Sequence, residues 1–154
     1  EVDLMTTSPN LFDLLGVRPA LGRGFTRDEV GPGRPPVIVL SHTLWNRLGA
    51  DPSLVGRTVW VTGGTYTVIG VMPRDFQFVR HASLGPPSRP ADAYISLPMH
   101  LANTNPNAGQ YAGLIRARRG TPPEQVAAAV NAVGRGDSLT SRSVTTDPSR
   151  IRSG

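Results

Sequence analysis

The stretch that decides the fold is Val37-Ile38-Val39-Leu40-Ser41-His42-Thr43-Leu44-Trp45-Asn46-Arg47-Leu48-Gly49. It opens on four consecutive apolar residues, three of them β-branched. That is the composition of a strand covered on both faces. Ser41 follows as a helix N-cap. Leu44, Trp45 and Leu48 then recur at core spacing, and Gly49 closes the segment. A buried strand running straight into a helix places the chain in the mixed α and β class.

Downstream, Asp51-Pro52 starts one further turn, to Val55. Arg57 to Val61 and Tyr66 to Met72 read as two strands joined around Thr62-Gly63-Gly64-Thr65, because Gly-Gly between β-branched runs is a strong hairpin signal. Pro73 stops the second strand. Arg80 to Pro90 is polar and Pro-rich and is expected to be a mobile loop. Ala93 to Leu97 is a further strand, ended by Pro98. Asn103 to Gln110 is a second loop, and Tyr111 to Arg118 alternates like a half-exposed strand. Thr121-Pro122-Pro123-Glu124 reads as a capping box with Pro at the first helical position. The helix that it opens carries Val126, Ala129, Val130 and Val133 on one side. Residues 135–154 are rich in Ser, Thr and Arg, and this tail is expected to be disordered.

Upstream, Val2 to Thr7 is a short strand candidate. Ser8 reads as an N-cap with Pro9 at the first helical position. Leu11, Phe12, Leu14 and Leu15 follow as an apolar face, ended by Gly16. A glycine-punctuated loop runs from Arg18 to Phe25. Thr26 with Asp28 and Glu29 starts another helix, whose dipole favours the two carboxylates. Gly31 to Pro36 is a loop. No internal repeat is present.

The 154 residues suit one compact domain or two small lobes sharing a core. About 70% of the unfolded surface of such a chain can be buried, so folding needs neither metal nor disulfide. There is no Cys, which excludes a disulfide scaffold and a Cys-type zinc site without fixing the compartment. The longest apolar run, Val126 to Val130, falls far short of the ~18 residues of a membrane span. The 16 basic residues outnumber 11 acidic ones, and every basic residue is Arg. The surplus permits an anionic partner. However, the Arg are scattered apart from Arg116, Arg118 and Arg119, unlike the dense aromatic-laced stripe of a nucleic-acid binder. Glu1 opens the sequence without Met and without a signal peptide, so the chain is expected to be a piece of a longer protein.

The residues that carry chemistry elsewhere do not assemble here. His42, His81 and His100 have no second ligand at metal spacing. Ser41 precedes His42, but no Gly-x-Ser-x-Gly elbow surrounds it, so it reads as a helix cap. Asp28-Glu29 is first-turn dipole chemistry. Gly22-Arg23-Gly24 has neither the phosphate-loop ending nor the dinucleotide spacing. Arg135-Gly136-Asp137 falls in the polar tail and reads as chance. Trp45 and Trp60 are candidates to line a groove, but on a helix face and a strand they are expected in the core or half-core. No catalytic residue, cofactor loop or metal set emerges.

The order of segments carries a resemblance. Ser8-Pro9-Asn10-Leu11-Phe12-Asp13-Leu14-Leu15-Gly16-Val17 precedes Pro19-Ala20-Leu21-Gly22-Arg23-Gly24-Phe25. Next come the buried strand with Ser41 and the Trp45 helix. Asp51-Pro52-Ser53-Leu54-Val55-Gly56-Arg57-Thr58 follows, and then Tyr66-Thr67-Val68-Ile69-Gly70-Val71-Met72-Pro73. Together they resemble the MacB-like periplasmic core domain of FtsX-type ABC-transporter permeases, and within that family the subgroup common in acidobacteria. The resemblance spans about residues 5 to 134.

It implies an α+β domain of two small lobes. One lobe has a mixed β-sheet with porter-like βαβ elements and short helices. The other is a smaller inserted lobe containing the β-hairpin. Residues 1–134 would form the domain, without its first elements. The resemblance implies a non-catalytic, extracytoplasmic role on the periplasmic side, anchored through transmembrane helices of a parent permease. The domain would relay motion driven by a separate nucleotide-binding ATPase to a periplasmic adaptor, envelope protein or substrate. Efflux, lipoprotein release and cell-wall hydrolase activation are tasks of this kind. The alternative is a free-standing periplasmic module that binds an anionic ligand or envelope polymer through the Arg surplus.

Candidate structural and contact residues are Gly22, Arg23, Gly24, Phe25, Trp45, Gly56, Arg57, Trp60 and Gly70. Gly22 and Gly24 would let the backbone turn around Arg23. Arg23 and Arg57 would fork to a carboxylate or to loop carbonyls. Gly56 would close the turn before the hairpin, and Gly70 would allow a bulge or a close backbone approach.

Overall fold

Strands, in chain order, are β1 (Leu4–Thr7), β2 (Leu21–Gly22), β3 (Val37–Leu40), β4 (Thr58–Val61), β5 (Gly64–Val71) and β6 (Ala93–Ser96). Helices are α1 (Leu11–Leu15), α2 (His42–Arg47) and α3 (Pro123–Gly134), with single-turn 3-10 helices at Arg27–Val30 and Pro52–Leu54. This computed structural model describes residues 2–30, 33–61, 63–78, 89–96 and 114–134. The chain divides into two units, residues 1–113 and 114–154.

The first unit is built on one sheet of order β1-β6-β3-β5-β2, with β4 also paired to β5. The β1–β6 and β3–β5 pairs are parallel; β3–β6, β2–β5 and β4–β5 are antiparallel. The sheet is mixed and carries short helices, which is the α+β class. β3, α2 and β5 form a βαβ unit with β4 inserted before its last strand.

β3 is covered on both faces, as its composition demands. Val39 enters one cluster with Phe12, Phe25, Ile69, Met72 and Tyr94. Ile38 and Leu40 enter the other with Leu44, Val61, Val68, Val71 and Ala93. α1 supplies Leu11 and Phe12 to the first face; α2 supplies Leu44 to the second. Burying each large side chain stabilises the fold by about 1.5–3 kcal/mol. Phe12 organises its face, stacking on Phe25 with ring centroids 5.6 Å apart and meeting Tyr94 and Phe76 edge-on at 5.4 and 5.9 Å.

The hairpin differs from the expected arrangement in two ways. It belongs to the main sheet rather than to an inserted lobe, because β5 is also the parallel partner of β3. Its strands join across positions 62 and 63, with Val61 opposite Gly64. β5 therefore starts two residues before Tyr66. The start of α1 also differs. Ser8 does not cap it; the Ser8 carbonyl accepts from Leu11 N–H at 3.2 Å. Pro9 takes the second position of that turn, which suits its fixed φ as well as a helix start does. Asn10 is the N-cap and makes no side-chain capping bond.

Of the strand expected from Tyr111 to Arg118, residues 111–113 lie outside the described residues, and in the second unit residues 114–118 are exposed and form no strand. Among the described residues no ladder partner meets them. α3 starts at Pro123, one residue beyond the expected position, because the Pro122 carbonyl accepts from Gln125 and Val126. Val126, Ala127 and Val130 are half-buried and Ala129 is exposed. The tail 135–154, the loop 103–110 and nearly all of the loop 80–90 lie outside the described residues.

Candidate interaction surface

β5 serves two strands along one edge. Residues 64–67 pair with β4, and Gly70 and Val71 pair with β2. The changeover needs an irregularity. Opposite β3 the register steps from Ile38↔Val68 to Val39↔Gly70, leaving Ile69 unpaired in a bulge. The carbonyls of Val68 and Ile69 then both accept from segments along that edge. Val68 takes Gly56 N–H at 2.7 Å, and Ile69 takes Arg23 N–H at 2.9 Å.

Glycine is required at the contact between β2 and β5. Gly22 lies opposite Gly70. A Cβ on Gly22 would sit 2.2 Å from the Ile69 carbonyl oxygen, and one on Gly70 would sit 2.4 Å from that of Arg23. Gly22 also has φ 68°, in the left-handed region that side chains disfavour. Gly24 is different: its Cβ would meet only Phe12 Cδ2 at 3.5 Å, an ordinary contact. Gly56 has a separate requirement. Arg57 N–H donates to the Leu54 carbonyl at 3.0 Å, closing a turn with Val55 at φ −66°, ψ 125° and Gly56 at φ 91°. Those angles define a type II turn, which favours glycine at its third residue.

Arg23 clasps its own loop. Its guanidinium donates to the Gly24 carbonyl at 3.1 Å and forms an ion pair with Glu29. Glu29 also accepts from Thr26 N–H at 2.8 Å. Burial pushes the Glu29 carboxyl up, but Arg23 and the Thr26 N–H outweigh it and hold the group below its ordinary value. The bond to Glu29 raises Arg23 above its own. Phe25 is buried against Phe12, so the clasp ties the Arg23 loop down beside the aromatic cluster. Shallow hollows of about 290 and 310 Å³ share Arg23 in their walls.

Arg57 is exposed, and its backbone rather than its side chain carries the bonds, with its carbonyl accepting from Val68 N–H at 2.9 Å. Trp45 is half-buried, donates from Nε1 to the Asp51 carbonyl at 3.1 Å and meets His42 edge-on. Trp60 overturns the core expectation: it is 77% exposed. Strand alternation explains this. Val59 and Val61 pack inward, which turns Trp60 to the opposite face, beside Thr65. Ser41 Oγ accepts from Leu44 N–H at 3.1 Å and starts α2. His42 Nδ1 lies 2.9 Å from the Asn46 amide, while His81 and His100 fall outside the described residues.

Sequence reading missed Asp92. Its carboxylate accepts from Asp3 N–H at 3.1 Å and from Arg47 at 3.4 Å, tying the approach to β1 to α2. These partners lie 89 and 45 positions away, and no local pattern signals them. The ion pair of Arg23 with Glu29 is equally invisible to local pattern.

These features define an α+β domain with a doubly covered mixed sheet, whose distinctive residues hold loops against strands. The chain belongs to the family of MacB-like periplasmic core domains, which it matches over residues 1–133. Its fold is similar to the crystal structure of the periplasmic region of MacB from Actinobacillus actinomycetemcomitans, with a TM-score of 0.59 and 17% identity. The match covers 88% of this chain and 56% of that one, so this chain spans just over half the length of its structural relative. No protein of curated function matches it in sequence.

Proposed function

We propose that this chain is a non-catalytic, extracytoplasmic domain of an ABC-transporter permease that relays ATP-driven motion to a periplasmic partner or substrate. Membership of the MacB-like family over residues 1–133 carries this reading. In it, the transmembrane helices of the parent anchor the domain, a separate nucleotide-binding ATPase drives it, and a periplasmic adaptor or envelope protein receives the motion. The sheet suits such a relay. Close-packed cores on both faces transmit a displacement instead of absorbing it. Gly22, Gly56 and Gly70 and the Arg23 clasp keep the loops fixed to that sheet. Gly24, Phe25, Trp45 and Arg57 then act as scaffold, and Trp60 faces outward.

The absence of Cys supplies the test. Thr65→Cys, in a parent permease with any cysteines outside these 154 residues replaced, gives a single exposed thiol on the hairpin. A membrane-impermeant maleimide should modify it in intact spheroplasts, at a rate that changes when the ATPase turns over. Modification only after lysis would overturn the location. A rate indifferent to turnover would overturn the relay.

A further inference from the structure

The outer edge of β4 carries groups that none of the roles above uses. The hairpin's phase is fixed by Val68 N–H donating to the Arg57 carbonyl and by the register from Thr58↔Thr67 to Val61↔Gly64. Bonded and non-bonded pairs alternate along an antiparallel ladder. Arg57, Val59 and Val61 therefore turn their main-chain groups toward β5, and Thr58 and Trp60 turn theirs outward. Among the described residues no strand pairs with this edge. Natural edge strands are protected by shortness, charge, Pro or an internal bulge, and β4, at four residues, has the first alone. Thr58-Val59-Trp60-Val61 carries no charge, Pro or bulge of its own, and its largest side chain is 77% exposed.

We infer that β4 takes up an extended segment of a partner polypeptide as an added antiparallel strand, with Trp60 covered by the incoming side chains. This rests on the relay reading and names the surface that the partner would occupy. Charge argues against a second copy as occupant. Each chain carries +5, which opposes the association of two copies. Area argues the same way, because a four-residue edge buries far less than the ~1,200 Å² of a stable dimer. A guest strand needs only main-chain bonds and room for alternate side chains. Residues 56–73 contain Arg57 and no acidic residue. Among the described residues Arg57 makes no ion pair, and Asp51, which its charge reaches, accepts from Ser53 N–H and Oγ. A guest strand with a carboxylate at its C-terminal end, opposite Arg57, is the complementary partner.

The probe is a synthetic peptide of alternating Val and Thr ending in Asp, added to the Trp45→Phe chain so that only Trp60 emits. Binding should shift Trp60 emission to the blue and protect the Thr58 and Trp60 amides from hydrogen exchange. Thr58→Pro removes an outward N–H while sparing the ladder to β5, and should weaken binding at least about tenfold, or about 1.4 kcal/mol. The same peptide N-methylated on the residues facing β4 should also fail, without any change in the protein. No binding, binding that leaves both amides unprotected, or binding indifferent to Thr58→Pro and to N-methylation would overturn the inference. A dimer in light scattering that Thr58→Pro dissolves would assign the edge to a second copy and overturn it too. Peptide pairing with a Thr65→Cys thiol hidden until lysis would sink the relay reading and leave the edge site standing.

Discussion

Gly70→Ala probes the point where β2 lies against β5. The added methyl would sit 2.4 Å from the Arg23 carbonyl oxygen and 3.0 Å from that of Leu21. A close C···O contact is about 3.3 Å, so β2 must retreat by roughly an ångström. That displaces the bonds from Arg23 N–H to Ile69 at 2.9 Å and from Ala20 N–H to Val71 at 2.8 Å. Losing both costs about 2 kcal/mol, and the forced repacking adds about 1–3 kcal/mol. The expected loss of about 3–5 kcal/mol is a large share of a typical stability of about 5–15 kcal/mol. Gly24→Ala is the internal control. Its methyl meets Phe12 at 3.5 Å, and the change should stay within about 1 kcal/mol. Gly22→Ala should match or exceed Gly70→Ala, and the double variant should cost less than the sum, since one displacement of β2 accommodates both methyls. Urea unfolding followed by far-ultraviolet circular dichroism reads all four. A Gly70→Ala chain within 1 kcal/mol of the parent, or a Gly24→Ala chain equally damaged, would refute the close-approach reasoning.

Glu29→Gln should lower stability by about 0.5–1 kcal/mol near neutral pH, since the Arg23 partner is half-exposed to solvent. The folded-state value of Glu29 lies below its ordinary 4.5, so its contribution is complete above that pH and lost as pH falls through the depressed value. The gap between parent and variant should therefore close in acid, and a gap that widens would contradict the clasp. Ser41→Ala removes the acceptor of Leu44 N–H and should cost about 1 kcal/mol in urea unfolding. Acrylamide should quench emission from the Trp45→Phe chain strongly and from the Trp60→Phe chain weakly, and the reverse order would contradict the placement of both indoles.

The parts that sequence made legible are those where local chemistry leaves one solution. Val37-Ile38-Val39-Leu40 is too apolar to face water on either side, and Ser41 can start α2 alone. Gly56 follows Val55 at the one turn position that requires φ above zero. Elsewhere local signals were ambiguous or absent. Pro9 suits a turn and a helix start equally well, and α1 began later. Trp60 is hydrophobic, yet its neighbours Val59 and Val61 claim the inward face of β4. Arg23 meets Glu29, and Asp92 meets Asp3 and Arg47, only because the sheet folds distant segments together. β2 is two residues long and exists through its bonds to β5. The bulge at Ile69 that makes room for β2 beside β4 is signalled only by Gly70, whose missing side chain permits a bulge or a close approach without saying what approaches.

β6 lies between β1 and β3 in the sheet, yet among the described residues it is the last strand in the sequence. A chain elongating from its N-terminus therefore makes β1 long before any neighbour for it exists. β3, β4 and β5 can associate as soon as Val71 is made, but one flank of β3 stays open until Ala93–Ser96 arrives. During that interval Ile38 and Val39, which are fully covered in the finished sheet, lie beside unpaired backbone, the condition under which nascent chains aggregate. Tyr94 and Ala93 then close both clusters at once, bringing in β1 from 89 positions away. Assembly of this sheet is thus completed from its middle, and a chain ending before Ala93 would lack a keystone rather than a margin.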